Sequence, residues 1–492
     1  MREFAWVFLF PPLLAAQSSA VERHFAEVRK SPPELYAFLL RMPKGADLHN
    51  HLTGAVYAEN YLHSAAEDGL CVDLKTFALV PPPCGENSID AARAETNATL
   101  AEQVIDNLSM RNFVAGRETG HDHFFATFGK FGGNRPNRRG ELFAEVIRRA
   151  AAQNESYLEL MSINGNPVNA LGTQAGFDGN FESTKDKLMA NGLAVAVKQM
   201  SATIDELDAS TRVALGCDAK PESAPCRLAV RHMYQVLREA PKEHIFAQIL
   251  AGLMLASSDS RVAGINFVQP EDGPTSMRDY HLQMQMLEYG KRLYPNVHVS
   301  LHAGELAPGM VPPDGLRFHI REAVELGHAE RIGHGVSVMY EDDAEGLLAL
   351  MKQRNVLVEI NLTSNDQILG IRGRDHPFAT YRKYGVPVAL STDDEGVARS
   401  HLTEEYQRAV LTYGLTYGDL KEIVRNSLEF SFLPGASYWR NHAYQKPNAV
   451  CVGRTQSKGC RAFLEANDKA RYQWELEQRF AAFERTLSGK RP

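Results

Sequence analysis

The chain has no basic face. Its 60 Asp and Glu outnumber 53 Lys and Arg, for a formal net charge of −7, so nucleic-acid binding has no electrostatic footprint. No Cys-x-x-Cys occurs among the six cysteines, which disfavours a thiolate metal site. No Gly-x-Gly-x-x-Gly turn follows the first strand, which counts against an open dinucleotide-binding sheet. Beyond the N-terminal segment, no stretch is apolar enough to span a bilayer. Nor does a clear Arg or Lys cluster gather at strand ends, as a phosphate-bearing substrate would require; Arg372 and Arg374 are the nearest candidates. What remains is 492 residues of ordinary composition, 44% hydrophobic and 23% charged. A chain of that length supports a large core, and α/β barrels run long as single units.

The first residues read as an export signal. Arg2 precedes an apolar run from Phe4 to Ala16, broken only by Pro11 and Pro12, and Ser18-Ser19-Ala20 supplies small residues for cleavage. We expect a signal peptide over 1–20 and a secreted or periplasmic protein. A buried N-terminal helix is the weaker reading, and no cysteine follows the run to carry a lipid. The cysteines fall into three local pairs: Cys71 with Cys84, Cys217 with Cys226, and Cys451 with Cys460. In an exported chain these read as loop-closing disulfides; in a cytosolic one they would be free thiols. Asn97, Asn107 and Asn154 begin glycosylation sequons.

Strand-like apolar runs recur along the chain: Ala46–Leu48, Tyr157–Met161, Val262–Val268, Val297–Leu301, Arg331-Ile332, Val356–Ile360 and Val386–Leu390. In the C-terminal half they are spaced one strand-helix repeat apart. Buried strands alternating with helices imply a parallel sheet. Polar residues clustered at the strands' C-terminal ends favour an α/β fold of the (β/α)8 TIM-barrel type over a doubly wound sheet. We expect an N-terminal helical extension over 21–42, a barrel over 43–435 with residues 64–120 elaborating its first βα connection, and a C-terminal extension over 436–492. The charged helical tail, 461–487, should pack on the barrel's outside.

The strand ends carry the chemistry. His49 and His51, two apart on a strand, point to one face and can reach one ion. His302 ends Val-His-Val-Ser-Leu, and Asp393 ends another apolar run. Three imidazoles and one carboxylate suit zinc and leave room for a water, which bound zinc brings to a pKa of about 7. Any one element could be structural; four strand-end coincidences in one chain are much less probable. Glu305, three residues after His302, is a candidate general acid. His334, between two glycines, is a candidate for orienting and deprotonating the water. Asp394 would either hydrogen-bond a substrate or cap the helix that follows it. Phe124, Phe125 and Phe128 are spaced to wall a ligand site, though such spacing more often marks a buried helix face.

Met42-Pro43-Lys44 leading to His49-x-His51, then Ser300-Leu-His-Ala-Gly-Glu305, Arg331-Ile-Gly-His-Gly335, Leu362-Thr-Ser-Asn365 and Ser391-Thr-Asp-Asp394 resemble the adenosine deaminase family of the amidohydrolase superfamily. The signal, the cysteine pairs, the long segment before the second strand and Asn426–Leu433 look like its secreted growth-factor-like branch. The resemblance covers roughly Pro43 to Leu433. It implies a (β/α)8 barrel with one catalytic zinc per chain, held by His49, His51, His302 and Asp393. Glu305 would protonate purine N1, His334 would handle the attacking water, and Asp394 would bind N7. Zinc-activated water would attack C6, turning adenosine or 2′-deoxyadenosine into inosine or deoxyinosine plus ammonia.

Three positions depart from the family pattern. Thr53 stands where many members carry the Asp that serves the ribose. Gln269 stands where many carry a glycine against the purine, followed by Pro270 and Glu271. Glu395 replaces a frequent proline. Thr53 and Gln269 are therefore expected substrate contacts, while reaction class is untouched. The alternatives are a barrel metallohydrolase acting on another aminopurine or amide, and a non-catalytic extracellular growth-factor-like binding protein. A small purine nucleoside is the expected partner, with no nucleic acid and no membrane span; a homodimer is expected only by analogy with the branch.

Overall fold

Short runs of Val, Ile and Leu buried on both faces suit interior strands, where sheet pairing satisfies their backbone groups. In the computed structural model, which describes residues 12–133, 136–453 and 457–487, they form β1 (Ala46–His51), β2 (Tyr157–Asn164), β3 (Ala229–Leu237), β4 (Val262–Val268), β5 (His298–Ala303), β6 (Arg331–His334), β7 (Leu357–Ile360) and β8 (Val388–Leu390). All neighbours pair in parallel, in chain order. The seam closes just past β8. Asp393 N–H donates to the His49 carbonyl at 2.8 Å and His51 N–H to the Asp393 carbonyl at 3.3 Å. The result is the expected (β/α)8 barrel, and its closing hydrogen bonds are made by three site residues. β3 is not evident from the sequence, because Arg231, His232 and Gln235 interrupt its apolar run.

Helices of the outer layer include Arg139–Ala152, Leu193–Leu215, Lys242–Ser258, Pro274–Leu293 and Tyr417–Glu429. The first βα connection is elaborated. Between β1 and Arg139 it holds a three-stranded antiparallel sheet and helices that include Ala58–Glu67 and Gly120–Thr127. It packs on its own apolar cluster, in which Tyr61 stacks on Phe131 at 4.5 Å and Phe124 is buried. Phe125 and Phe128 pack at that cluster's edge.

Of the expected signal segment, 1–20, residues 1–11 lie outside the described residues. Pro32–Arg41 forms a helix with proline in its first turn, where the missing N–H costs nothing. The tail helix Asp468–Leu487 lies on the barrel's outside. Phe483 meets Phe38 edge-on at 5.2 Å, and Lys421 and Arg425 pair with Glu484 and Glu477 at 2.6 and 2.7 Å. All three cysteine pairs are bonded, at Cα separations of 5.5, 5.6 and 4.8 Å. Among the described residues, no helix is long and apolar enough to cross a membrane.

Candidate metal centre and active site

Extended backbone sends His49 and His51 to the same face of β1, and barrel closure sets Asp393 against them. The ligating atoms of His49, His51, His302 and Asp393 all lie within 4.8 Å of one another, and all four residues are buried. His51 Nε2 is 3.2 Å from His302 Nε2, and Asp393 Oδ1 is 3.4 Å from His49 Nε2 and 3.3 Å from His51 Nε2. A tetrahedral metal with bonds of about 2.0–2.2 Å holds neighbouring donors about 3.3–3.5 Å apart. The measured edges match, so the residues fit a small divalent cation.

The opposite ring nitrogens are fixed from outside, which selects Nε2 as the inward donor on each ring. His49 Nδ1 meets Glu359 Oε2 at 2.7 Å, His302 Nδ1 meets Asn266 Oδ1 at 2.8 Å, and His51 Nδ1 lies 3.4 Å from Gln235 Oε1. His49 Nε2 faces Asp393 Oδ1 at 3.4 Å and has no closer partner. Burial pushes His302 well below its usual pKa and His51 down to about 4, leaving neutral rings. His49 moves up to about 10: burial lowers it, but hydrogen bonds to Asp393 and Glu359 more than offset that. Two carboxylates directed at one ring mark a place built for positive charge. Asp393 sits well below the carboxylate range; burial opposes this, and the His49 hydrogen bond and neighbouring imidazoles prevail. Ser364 donates to its other oxygen at 2.6 Å.

Glu359 links this centre to the barrel floor. It accepts from Ser300 Oγ at 2.9 Å and Arg331 Nε at 2.6 Å, and Arg331 also pairs with buried Glu159. Glycine at 333 is required for close packing: a Cβ there would lie 2.5 Å from His49 Cε1. Glu359→Gln should therefore keep the fold and weaken metal binding by about 10–100-fold. Competition with a chromophoric chelator reads this directly, and wild-type affinity would reject the orienting role.

Glu305, His334 and Asp393 also converge, with one donor atom from each inside 4.8 Å. Burial, then the charges of Asp393 and Glu271, push Glu305 well above the usual carboxylate pKa. That favours a protonated acid at neutral pH. The loop behind it is pinned by Glu271, which accepts from Gly304 N–H at 2.9 Å and Glu305 N–H at 2.8 Å and pairs with His319 Nδ1 at 2.6 Å. His334 meets the Asn365 amide through Nδ1 at 2.8 Å and stands 3.5 Å from Glu305 Oε1, leaving Nε2 buried without a partner. Burial holds its pKa down at about 3. His334 and Asp393 have φ of +67° and +59°. Left-handed backbone at non-glycine residues costs about 1–3 kcal/mol each; here it turns both side chains inward at the strand ends.

Asp394 precedes the helix Glu395–Ala398, but its side chain makes no capping hydrogen bond. Its Oδ1 is buried and unpartnered, and burial followed by the Asp393 charge raises its pKa well above the usual range. The helix cap is therefore not made, and Oδ1 has no protein partner. Glu395, in the frequent proline's place, accepts from Asn50 and pairs with Arg149 at 3.0 Å. Thr53 lines a cavity of about 650 Å³ whose wall includes Gln235, the neighbour of His51. Phe128 and Phe131 line it too. Gln269 is not brought to the cluster by any described contact. It is exposed, with φ +82°, and its side chain accepts from Glu239 N–H at 3.0 Å. Asn266, Gln235, Glu271 and Glu359 are the site residues that sequence reasoning missed. A carboxylate inside the apolar run Val-Leu-Val-Glu-Ile was the only visible signal, for Glu359.

Fold and site together define a (β/α)8 barrel with a three-histidine, one-aspartate metal centre on its C-terminal rim. Solved structures of similar architecture include Arabidopsis ADAL complexed with IMP, with a TM-score of 0.54 and 18% identity over 90% of this chain and 99% of that one. An amidohydrolase from Burkholderia ambifaria with bound Zn gives a TM-score of 0.53 and 18% identity over 91% and 94%. The adenosine deaminase profile matches residues 185–439, just over half the chain; the chain belongs to the adenosine deaminase family. It is 36% identical over 135 residues to adenosine deaminase of Clostridium perfringens and 38% identical over 137 residues to that of Salmonella paratyphi C. Those segments span 37% and 38% of the relatives' own lengths.

Proposed function

We propose that the protein is a zinc-dependent deaminase of aminopurine nucleosides, converting adenosine or 2′-deoxyadenosine to inosine or deoxyinosine and ammonia. One observation carries the reading. Three inward Nε2 donors and Asp393 share a single point, and Glu305, His334 and Asp394 present unpartnered buried atoms around it. Family membership and the relatives' names agree.

The donor set of His49, His51, His302 and Asp393 suits zinc. Zinc bound there supplies Lewis acidity, which makes water a competent nucleophile at neutral pH. The protein's own groups do the rest. His334 Nε2 holds the attacking water and takes its proton as the oxygen adds to C6. Glu305 gives its proton to N1, so that negative charge does not build on the ring. Asp394, protonated by its surroundings, donates to N7 and fixes the ring's orientation. The C6–N bond then breaks, the C6 hydroxyl gives its proton to Glu305, and the proton on His334 leaves with ammonia, so that inosine keeps hydrogen on N1. The three disulfides and the expected signal segment support an oxidising compartment, secreted or periplasmic.

The test follows ammonia release from adenosine, deoxyadenosine, adenine and AMP by purified protein, before and after chelation. We expect release from at least one aminopurine, its loss on chelation, and its return with zinc. Release that chelation leaves unchanged would reject the metal's role, and no release from any aminopurine would reject the function.

A further inference from the structure

The cavity that runs from Gln235 to the outer helices has an unusual charge balance. Among the described residues that line it, Arg139 is the only charged side chain and none is Asp or Glu, in a chain where acids outnumber bases. Arg138, one residue earlier, is saturated by Glu67, Asp68 and Glu141 at 2.6–2.8 Å. Arg139 has no carboxylate partner among the described residues. Among the described residues its one hydrogen bond runs from Nη2 to the Ser162 carbonyl at 2.8 Å, so its other N–H groups have no protein partner there. Burial lowers its pKa with no carboxylate to offset the effect; a guanidinium stays protonated regardless.

The surroundings suit an anion. Asn164 and Asn166 line the same wall, and their carboxamide oxygens accept from Asn166 N–H and Asn169 Nδ2, while no described partner takes their N–H groups. A guanidinium without a carboxylate partner can take an anion, and its fork matches phosphate oxygens. The position relative to the metal centre is set by sheet register. Met161, the residue before Ser162, pairs with His51. With strands about 4.8 Å apart, the guanidinium stands on the order of 10 Å from His51. Gln235 joins the two regions, since it lines the cavity and reaches His51 Nδ1. Arg139 opens a helix rather than ending a strand, so a search for cations at strand ends passes over it. Of the two candidates such a search finds, Arg372 is three-quarters exposed and directed toward Asp366.

We propose that this cavity holds a phosphomonoester on the substrate's sugar, bound by Arg139 with the Asn164 and Asn166 amides, so that the preferred substrates are aminopurine nucleotides. The inference rests on the deaminase reading, keeps its reaction, and moves the preferred substrate from the nucleoside to its phosphomonoester. The aromatic wall of Tyr61, Phe128 and Phe131 faces the less polar parts of the same ligand.

The experiment compares kcat/KM for AMP and adenosine in the zinc-loaded wild type, Arg139→Ala and Arg139→Lys. It adds calorimetric binding of IMP to each protein. We expect wild type to favour AMP. Arg139→Ala should lower the AMP-to-adenosine ratio by about ten- to a hundredfold, mainly through KM, as loss of a charge-assisted hydrogen bond predicts. Arg139→Lys should recover part of it, and IMP binding should weaken in the same order. Adenosine turnover with no preference for AMP would overturn the phosphate site and leave the deaminase reading standing. An equal loss for both substrates in Arg139→Ala would reduce Arg139 to a structural role and overturn it too. If no aminopurine is turned over, the deaminase reading falls, and IMP binding indifferent to Arg139 would then dispose of the phosphate site as well.

Discussion

Glu305→Gln should keep its metal and lose turnover by about 10²–10⁴-fold, the range removed with a positioned proton donor. The substitution preserves size and the backbone hydrogen bonds of Gly304 and Glu305 to Glu271. It deletes only the proton that burial and the nearby Asp393 and Glu271 charges keep on the carboxyl. Glu305 is outside the set of four that meets at the metal point, so metal content should match wild type. Metal analysis alongside ammonia release separates the outcomes. Metal lost together with activity would make Glu305 a ligand, and activity retained would remove it from the proton path.

Gly54→Ala should be nearly as damaging, although residue 54 carries no chemistry. A Cβ at this position would lie 1.7 Å from Asp394 Oδ1 and 2.4 Å from its Cγ. That contact cannot stand, and because Asp394 Cβ would itself lie 2.5 Å away, the whole Asp394 side chain must be displaced from its buried, unpartnered orientation. A misplacement of about 1 Å at a substrate-orienting group can cost about 10²-fold in rate. We expect a fall of that order in kcat/KM at unchanged metal content. Near-wild-type kcat/KM would show that the Asp394 carboxyl does not orient the substrate.

Much of the centre was legible because each ligand ends its own apolar run, and a barrel gathers strand ends at one rim. His49, His51, His302 and Asp393 needed only that rule to be brought together. Asp394 was locally ambiguous. Its substrate-facing conformation depends on the bare Cα of Gly54 across the seam, and no local pattern reports that. β3 escaped notice because Arg231, His232 and Gln235 give it a polar pattern. His232 is spent on Ser162 at 2.6 Å and Asp208 at 3.1 Å, and Gln235 on His51. The groups that fix the ring nitrogens, Asn266, Gln235 and Glu359, are chosen by register between strands far apart in sequence. Gln269 was expected at the substrate, yet the left-handed turn at the end of β4 carries its amide to Glu239 instead.

The central claim is that water replaces the exocyclic amine at purine C6. Mass spectrometry of the product formed from adenosine or AMP in ¹⁸O-labelled water tests it most directly. The account predicts a hydroxypurine carrying one labelled oxygen, with one ammonia released per product and the sugar still attached. Unchanged aminopurine, a product without label, or a free base split from its sugar would contradict it.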